Sequence, residues 1–192
     1  MMKKIYNLLM IAVVALTAST LAGCDADDNE VIAYTLEGTW QGKMYITEEW
    51  SGRVYNSTYS VIEFSKDPYR YAKGEGYWVD YYSNDAPWKY VANHITWEVR
   101  NSIIYVHFYE EGADVEIFDY YLEDDYFVGT MYDGYNYVDF KLYHTHSPRW
   151  DDYYYGFDDY YWSNGANFDS TDDKAFHAPM KIEKPVRRLM AK

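Results

Sequence analysis

Cysteine occurs once in the 192 residues, as Cys24. A single thiol cannot make an intramolecular disulfide, so the fold has to rest on a packed core. Basic residues are scarce too: 17 Lys and Arg stand against 31 Asp and Glu, a formal charge of −14. Nucleic-acid binding needs clustered Lys and Arg, and attraction to anionic headgroups needs a polybasic surface; neither partner is expected. Catalytic signatures are missing as well. The chain contains no G-x-S-x-G, no H-E-x-x-H and no free cysteine for a nucleophile once Cys24 is accounted for. Glu110-Glu111 and Asp124-Asp125 are paired carboxylates, but both sit in expected turns, where solvation explains them. A glycosidase needs two carboxylates flanking a cleft at a set separation. His144, His146 and Asp151 come nearest to a metal set, and two histidines at a strand end are ordinary surface residues. No cofactor, no metal and no catalysis are therefore expected.

What the chain has in plenty is aromatic surface: Phe, Trp and Tyr make up 21% of it, enough apolar area for one domain plus a tail. The N-terminus lies outside that domain. "MMKK" is a basic n-region, and Ile5 to Leu21 is an apolar run without a stop-transfer flank, the layout of a secretory signal. Leu21-Ala22-Gly23-Cys24 resembles the lipobox of bacterial lipoproteins. That resemblance implies cleavage after residue 23 and acylation of Cys24, and several acyl chains on one residue exceed what stable anchoring requires. Loss of Lys3 and Lys4 with the signal leaves the mature chain at −16. The acidic stretch "DADDNE" that follows is similar to the surface-export signal of Bacteroidetes-type lipoproteins. Its D-x-D-x-N start lacks the glycine that a calcium loop requires at the sixth position, which is Glu30. The expected address is the outer membrane, lipid-anchored and facing outward, with the periplasmic face as the alternative.

From Leu36 to His144 the pattern is period-2 alternation in short segments bounded by turn residues. Eight strands are expected: "TWQGKMYIT", "SVIEFS", "KGEGYWVDYY", "HITWEV", "SIIYVHFY", "VEIFDYYL", "YFVGTM" and "NYVDFKL". In the sixth, Phe118, Tyr120 and Leu122 share the expected inward face. The connections, Asp133-Gly134 among them, are too short for the crossover that parallel strands need. Eight antiparallel strands joined in sequence can close into an up-and-down barrel without edges; two stacked sheets, a β-sandwich, are the alternative. Gly38-Thr39-Trp40, at the head of the first strand, resembles the G-x-W signature of lipocalin-like barrels. In that family the Trp closes the barrel base, often beneath a basic residue of the last strand, and the role is ligand binding. Lys141 lies on that strand, although alternation puts it opposite Phe140 and Leu142. The bulky inward set predicts a mostly filled interior.

Outward positions carry Tyr105, His107, Tyr109, Asp119, Tyr121, Tyr132, Tyr137 and Tyr143, a density that asks for a cover. A candidate follows in "RWDDYYYGFDDYYW", residues 149 to 162, with a seven-residue echo. Ser147-Pro148 has the form of an N-cap and first helical turn, and Trp150, Tyr153, Tyr154, Phe157, Tyr160 and Tyr161 would make one helical stripe. A short or broken helix acting as a lid is expected, limited by Gly156. The basic end is expected to be mobile, and Asp169-Ser170-Thr171 resembles the O-glycan acceptor of Bacteroidetes-type exported proteins.

The organisation expected is thus a signal at 1–23, an acidic tether at 24–35, a lipocalin-like barrel at 36–146, an aromatic helix or lid at 147–163 and a flexible tail at 164–192. The leading functional reading is a non-catalytic, surface-anchored protein binding an extracellular glycan or small molecule. Exposed Trp and Tyr stack on sugar faces, and the loop "YYSNDAPWKY" has that composition; Trp78, Tyr81, Tyr82 and Trp88 are the candidate ligand residues. The second reading is an acidic protein-binding module, such as an inhibitor of a basic hydrolase, steered by its charge. An enzyme of unknown chemistry is the third.

Overall fold

The computed structural model describes residues 28–157 and 185–190. Alternation drives β1 (Gly38–Lys43), β2 (Ile46–Trp50), β3 (Arg53–Lys66), β4 (Lys73–Tyr82), β5 (Tyr90–Arg100), β6 (Ile103–Phe108), β7 (Ala113–Leu122), β8 (Tyr126–Tyr132) and β9 (Tyr137–Thr145). Each pairs antiparallel with the next from β2 to β9, and β1 joins β9 on one side and β3 on the other. That last pairing closes an eight-stranded barrel. The first expected strand is broken at Met44-Tyr45, where Tyr45 has φ +55, so β2 leaves the barrel wall and pairs within the barrel sheet with the start of β3.

Inward side chains fill the interior: Trp40, Phe64, Trp78, Ile95, Trp97, Phe108, Ile117 and Phe127 are all buried in one cluster. Burying such side chains contributes roughly 1.5–3 kcal/mol each. Glycines make room among them. A Cβ on Gly74 would sit 2.7 Å from the Trp97 ring, and one on Gly129 would sit 2.7 Å from Cβ of Tyr120.

One inward assignment needs correction. Val115 and Ile117 face the core, Asp119 turns to φ +48, and only beyond it do Tyr120 and Leu122 pack inward. The β7–β8 register shifts between Phe118 and Tyr121, so a bulge resets the alternation. Phe118 therefore lies edge-on to Tyr137 instead of joining the inward set.

Both barrel ends are closed by segments outside the expected strands. At the base, residues expected as tether form α1 (Asp28–Leu36), which buries Ala33 and Leu36. Trp40 Nε1 donates to the Leu36 carbonyl at 2.8 Å. The ring over Trp40 belongs to His144, edge-on at 5.3 Å, and not to Lys141, whose ammonium lies outside over Tyr126 and Tyr143. His144 also explains Gly38, where φ is +133 and a Cβ would meet the imidazole at 2.6 Å. At the opposite rim, four residues of the expected tail form β10 (Val186–Leu189), antiparallel to β2.

The segment after β9 also differs from expectation. Trp150–Asp152 make a single 3-10 turn, and Tyr153 already returns to extended backbone. Tyr155 bridges to Ala92, Gly156 donates to the Ala92 carbonyl at 2.8 Å, and Gly156 has φ +72. Tyr and Asp are weak helix formers, and here their rings and the backbone find partners on the sheet. The segment is a strap across the outside of β4 and β5. Trp150 stacks on Tyr77 at 4.8 Å, Tyr155 covers His94 at 3.9 Å, and Phe157 packs edge-on to Trp88. The face it covers carries Tyr77, Tyr81, Tyr90 and His94, whereas Tyr121, Tyr137 and Tyr143 stay exposed. Residues 158–163 of the expected lid lie outside the described residues, as do Cys24 and Asp169-Ser170-Thr171.

Candidate functional site

The four residues expected to bind ligand are not one exposed platform. Trp78 is wholly buried inside the barrel, its Nε1 donating to Asp80 at 3.0 Å. Tyr82 and Trp88 belong to a satellite core with Val91 and Phe157, supported by Trp50 and Tyr55. Tyr81 is on the outer face, its hydroxyl bonded to that of Tyr153 in the strap and its ring stacked on Tyr59 at 4.4 Å. Burial and that hydroxyl contact push the Tyr81 pKa up. The loop's composition was legible, but three of the four candidate residues, Trp78, Tyr82 and Trp88, serve packing.

Two other places have open volume beside polar groups. The larger is a groove of about 890 Å³ outside β4, β5, β6 and β7, overhung by the β3–β4 loop. It is lined by Tyr69, Arg70 and Tyr105 together with Glu75, Glu98 and Glu116. Ser65, Glu75 and Thr96 also line a second recess of about 500 Å³ that reaches Tyr77, His94 and Tyr109 beside the strap. Tyr69 is 89% exposed in the groove, and Tyr109 is 72% exposed in the second recess, where its ring lies edge-on to His107. Tyr105 and Tyr109 were read from alternation as outward residues; Tyr69 sits in a turn where no periodicity could single it out.

The second place is the rim beneath β10. Arg187 lies opposite Glu48 in the β10–β2 register and is buried. Its guanidinium is 2.5 Å from Asp80, holds both Glu111 oxygens at 2.8 and 3.1 Å, and covers the Phe108 ring at 4.3 Å. Asp80 also accepts from the Ser60 hydroxyl, and Glu111 accepts from Asn93 Nδ2 at 2.6 Å. Burial opposes the charge on Arg187, but the facing carboxylates of Asp80, Glu111 and Glu48 outweigh it and raise its pKa. Burial raises Asp80 as well, against Arg187 and the hydrogen bonds it receives. Glu48 is fully buried, and neither of its oxygens meets a hydrogen-bond partner among the described residues. Burial, then the charges of Glu111 and Asp80, raise its pKa well above the ordinary value, while Arg187 and Tyr82 pull the other way. Beside this cluster lies a recess of about 420 Å³ lined by Glu110, Asp114, Asp133 and Arg188. One sequence signal pointed here: Asp80 shares the inward phase of Trp78, and a buried aspartate demands a partner.

Compared with known families, residues 36–129 match the model of a lipocalin-like domain, from the end of α1 into β8. No curated protein matches the chain, and no solved structure does.

Proposed function

We propose, on the footing of a lipocalin-like domain over residues 36–129, that the chain is a non-catalytic binding protein held at the outer face of the cell envelope by acylated Cys24. Its ligand is a saccharide lying along the outer groove. The observation that carries this reading is the pair of exposed tyrosine rings, Tyr69 in the groove and Tyr109 in the adjoining recess, beside walls that carry Glu75, Glu98 and Glu116 together with Lys73 and Arg100. Tyrosine offers an apolar face and a wettable hydroxyl, and Glu75, Glu98 and Glu116 can accept sugar hydroxyls. The filled barrel interior favours an outside site over an enclosed one.

A glycan array tests the ligand. Tyr69→Ala and Tyr109→Ala should each remove glycan binding, while the melting temperature moves by no more than surface changes allow, about 0.5 kcal/mol. Binding that survives both changes sinks the groove reading. Contact through stacking should also tolerate added salt, since screening weakens charge-steered association most. The anchor has its own test: Cys24→Ala should abolish acyl labelling and release the protein from the membrane fraction. A variant that stays membrane-bound with its label intact would disprove the lipid attachment.

A further inference from the structure

We propose that the outer edge of β2, with the acidic pocket behind it, is a recognition site for an extended basic segment of another protein, one carrying arginine two residues before leucine. The chain's own Val186–Leu189 fills the site here as a resident ligand. Its contacts divide as they do in strand-addition binding, where main-chain bonds hold the segment and alternate side chains specify it. The sequence-independent part is the antiparallel ladder to β2, the Leu189 amide donating to Asp133 at 2.8 Å, the Met190 amide to the Tyr45 carbonyl at 2.9 Å, and Thr47 donating to the Arg188 carbonyl at 3.1 Å. The specific part is Arg187 and Leu189, which point inward and are buried, whereas Val186 is exposed.

The pocket suits a cation brought from outside. Three carboxyl groups, on Glu48, Asp80 and Glu111, face the single guanidinium. Glu48 is wholly buried, and among the described residues neither of its oxygens meets a hydrogen-bond partner, so a second donor on an incoming segment could bond it. The acids come from β2, β4 and the β6–β7 turn, so the pocket belongs to the barrel and not to the tail. β10 has four residues and, among the described residues, its strand partner is β2. It is covalently part of the same chain, so a free competitor must exceed its effective concentration. The net charge of −16 expected of the mature chain would draw a basic partner towards the barrel. The site is separate from the outer groove, so it stands or falls independently of the saccharide reading.

The test disables the tethered copy and supplies the ligand in trans. A labelled peptide of sequence KPVRRLMAK, residues 184–192, is titrated into full-length wild type and full-length Arg187→Ala. The variant should take up the peptide saturably, at least about a hundredfold tighter than wild type, the advantage expected for removing a tethered competitor. A peptide with alanine in place of the first arginine should bind neither. Equal binding to both chains, or none to the variant, overturns the proposal. Should Arg187→Ala fail to fold, a full-length chain with a protease site inserted between residues 170 and 171 replaces it. After cutting, its own C-terminal fragment should exchange with labelled peptide; a fragment that never exchanges makes β10 part of the core and overturns the proposal. A wild-type chain that dimerises by exchanging β10 between copies would assign the site to self-association and overturn the foreign partner.

Discussion

Arg187→Ala should be among the most destabilising single changes in the molecule. It leaves Asp80 and Glu111 without the cation that faces them, and breaking a buried pair by removing one partner costs about 3–5 kcal/mol. For a domain of this size that corresponds to a fall in melting temperature on the order of 10 °C. Glu48→Gln should act in the opposite direction and only over part of the pH range. The folded chain holds Glu48 protonated far above its ordinary value of 4.5, so the stability tied to that proton is complete below 4.5. It is lost as pH rises through the folded value, because the unfolded chain has by then released the proton. Glutamine carries no such penalty. The variant should therefore match the parent in acid and melt higher at neutral and alkaline pH. Thermal melts across that range check both substitutions, and a parent-like Arg187→Ala would mean that the rim cluster is not closed in solution.

The double change Trp150→Ala with Phe157→Ala should be the other large effect. Phe157 is only 7% exposed and touches Trp88 in the satellite core, where truncation of a buried phenylalanine costs about 3–5 kcal/mol. Trp150 is half-buried, stacks on Tyr77, and donates to Glu63 and Ser147. The two side chains rest on different partners, so their costs should roughly add. The melting temperature should drop by at least about 8 °C, with new dye-binding surface over β4 and β5. Glycan binding through Tyr69 and Tyr109 should survive at temperatures where the variant is folded. An unchanged melting curve would show that the strap is not packed in solution.

The eight barrel strands, their order and most of the inward set were legible because alternation is a local property, whereas β2 as a separate strand and β10 were not. Each of the eight expected segments falls on a different strand of the closed barrel, the first running on across the break into β2, and the turn residues between them exclude crossovers. Gly38-Thr39-Trp40 likewise announced the base of the barrel, since the Gly and the Trp both contact what closes it. The phase reset at Asp119 was not legible, because a bulge is chosen by how Tyr120 fits against Phe127 after closure.

The aromatic strap shows the division most clearly. Its composition pointed to a cover at residues 149 to 162, of which 149 to 157 are described, but helix, strand and strap all bury aromatic rings. Only the position of Tyr77, Ala92 and His94 on adjacent strands selected an extended path. The same holds for Trp78, Tyr82 and Trp88, which read as sugar-stacking residues until the tertiary structure buried them. Arg187 and Glu48 lie far apart in sequence, and neither has a periodic signal of its own. The sequence by itself determined which faces must be hidden, because apolar area and charge are properties of each residue. What hides them was decided by the tertiary structure alone. Capping a barrel end or pairing a buried carboxylate depends on groups from distant segments arriving at one place, and that depends on closure.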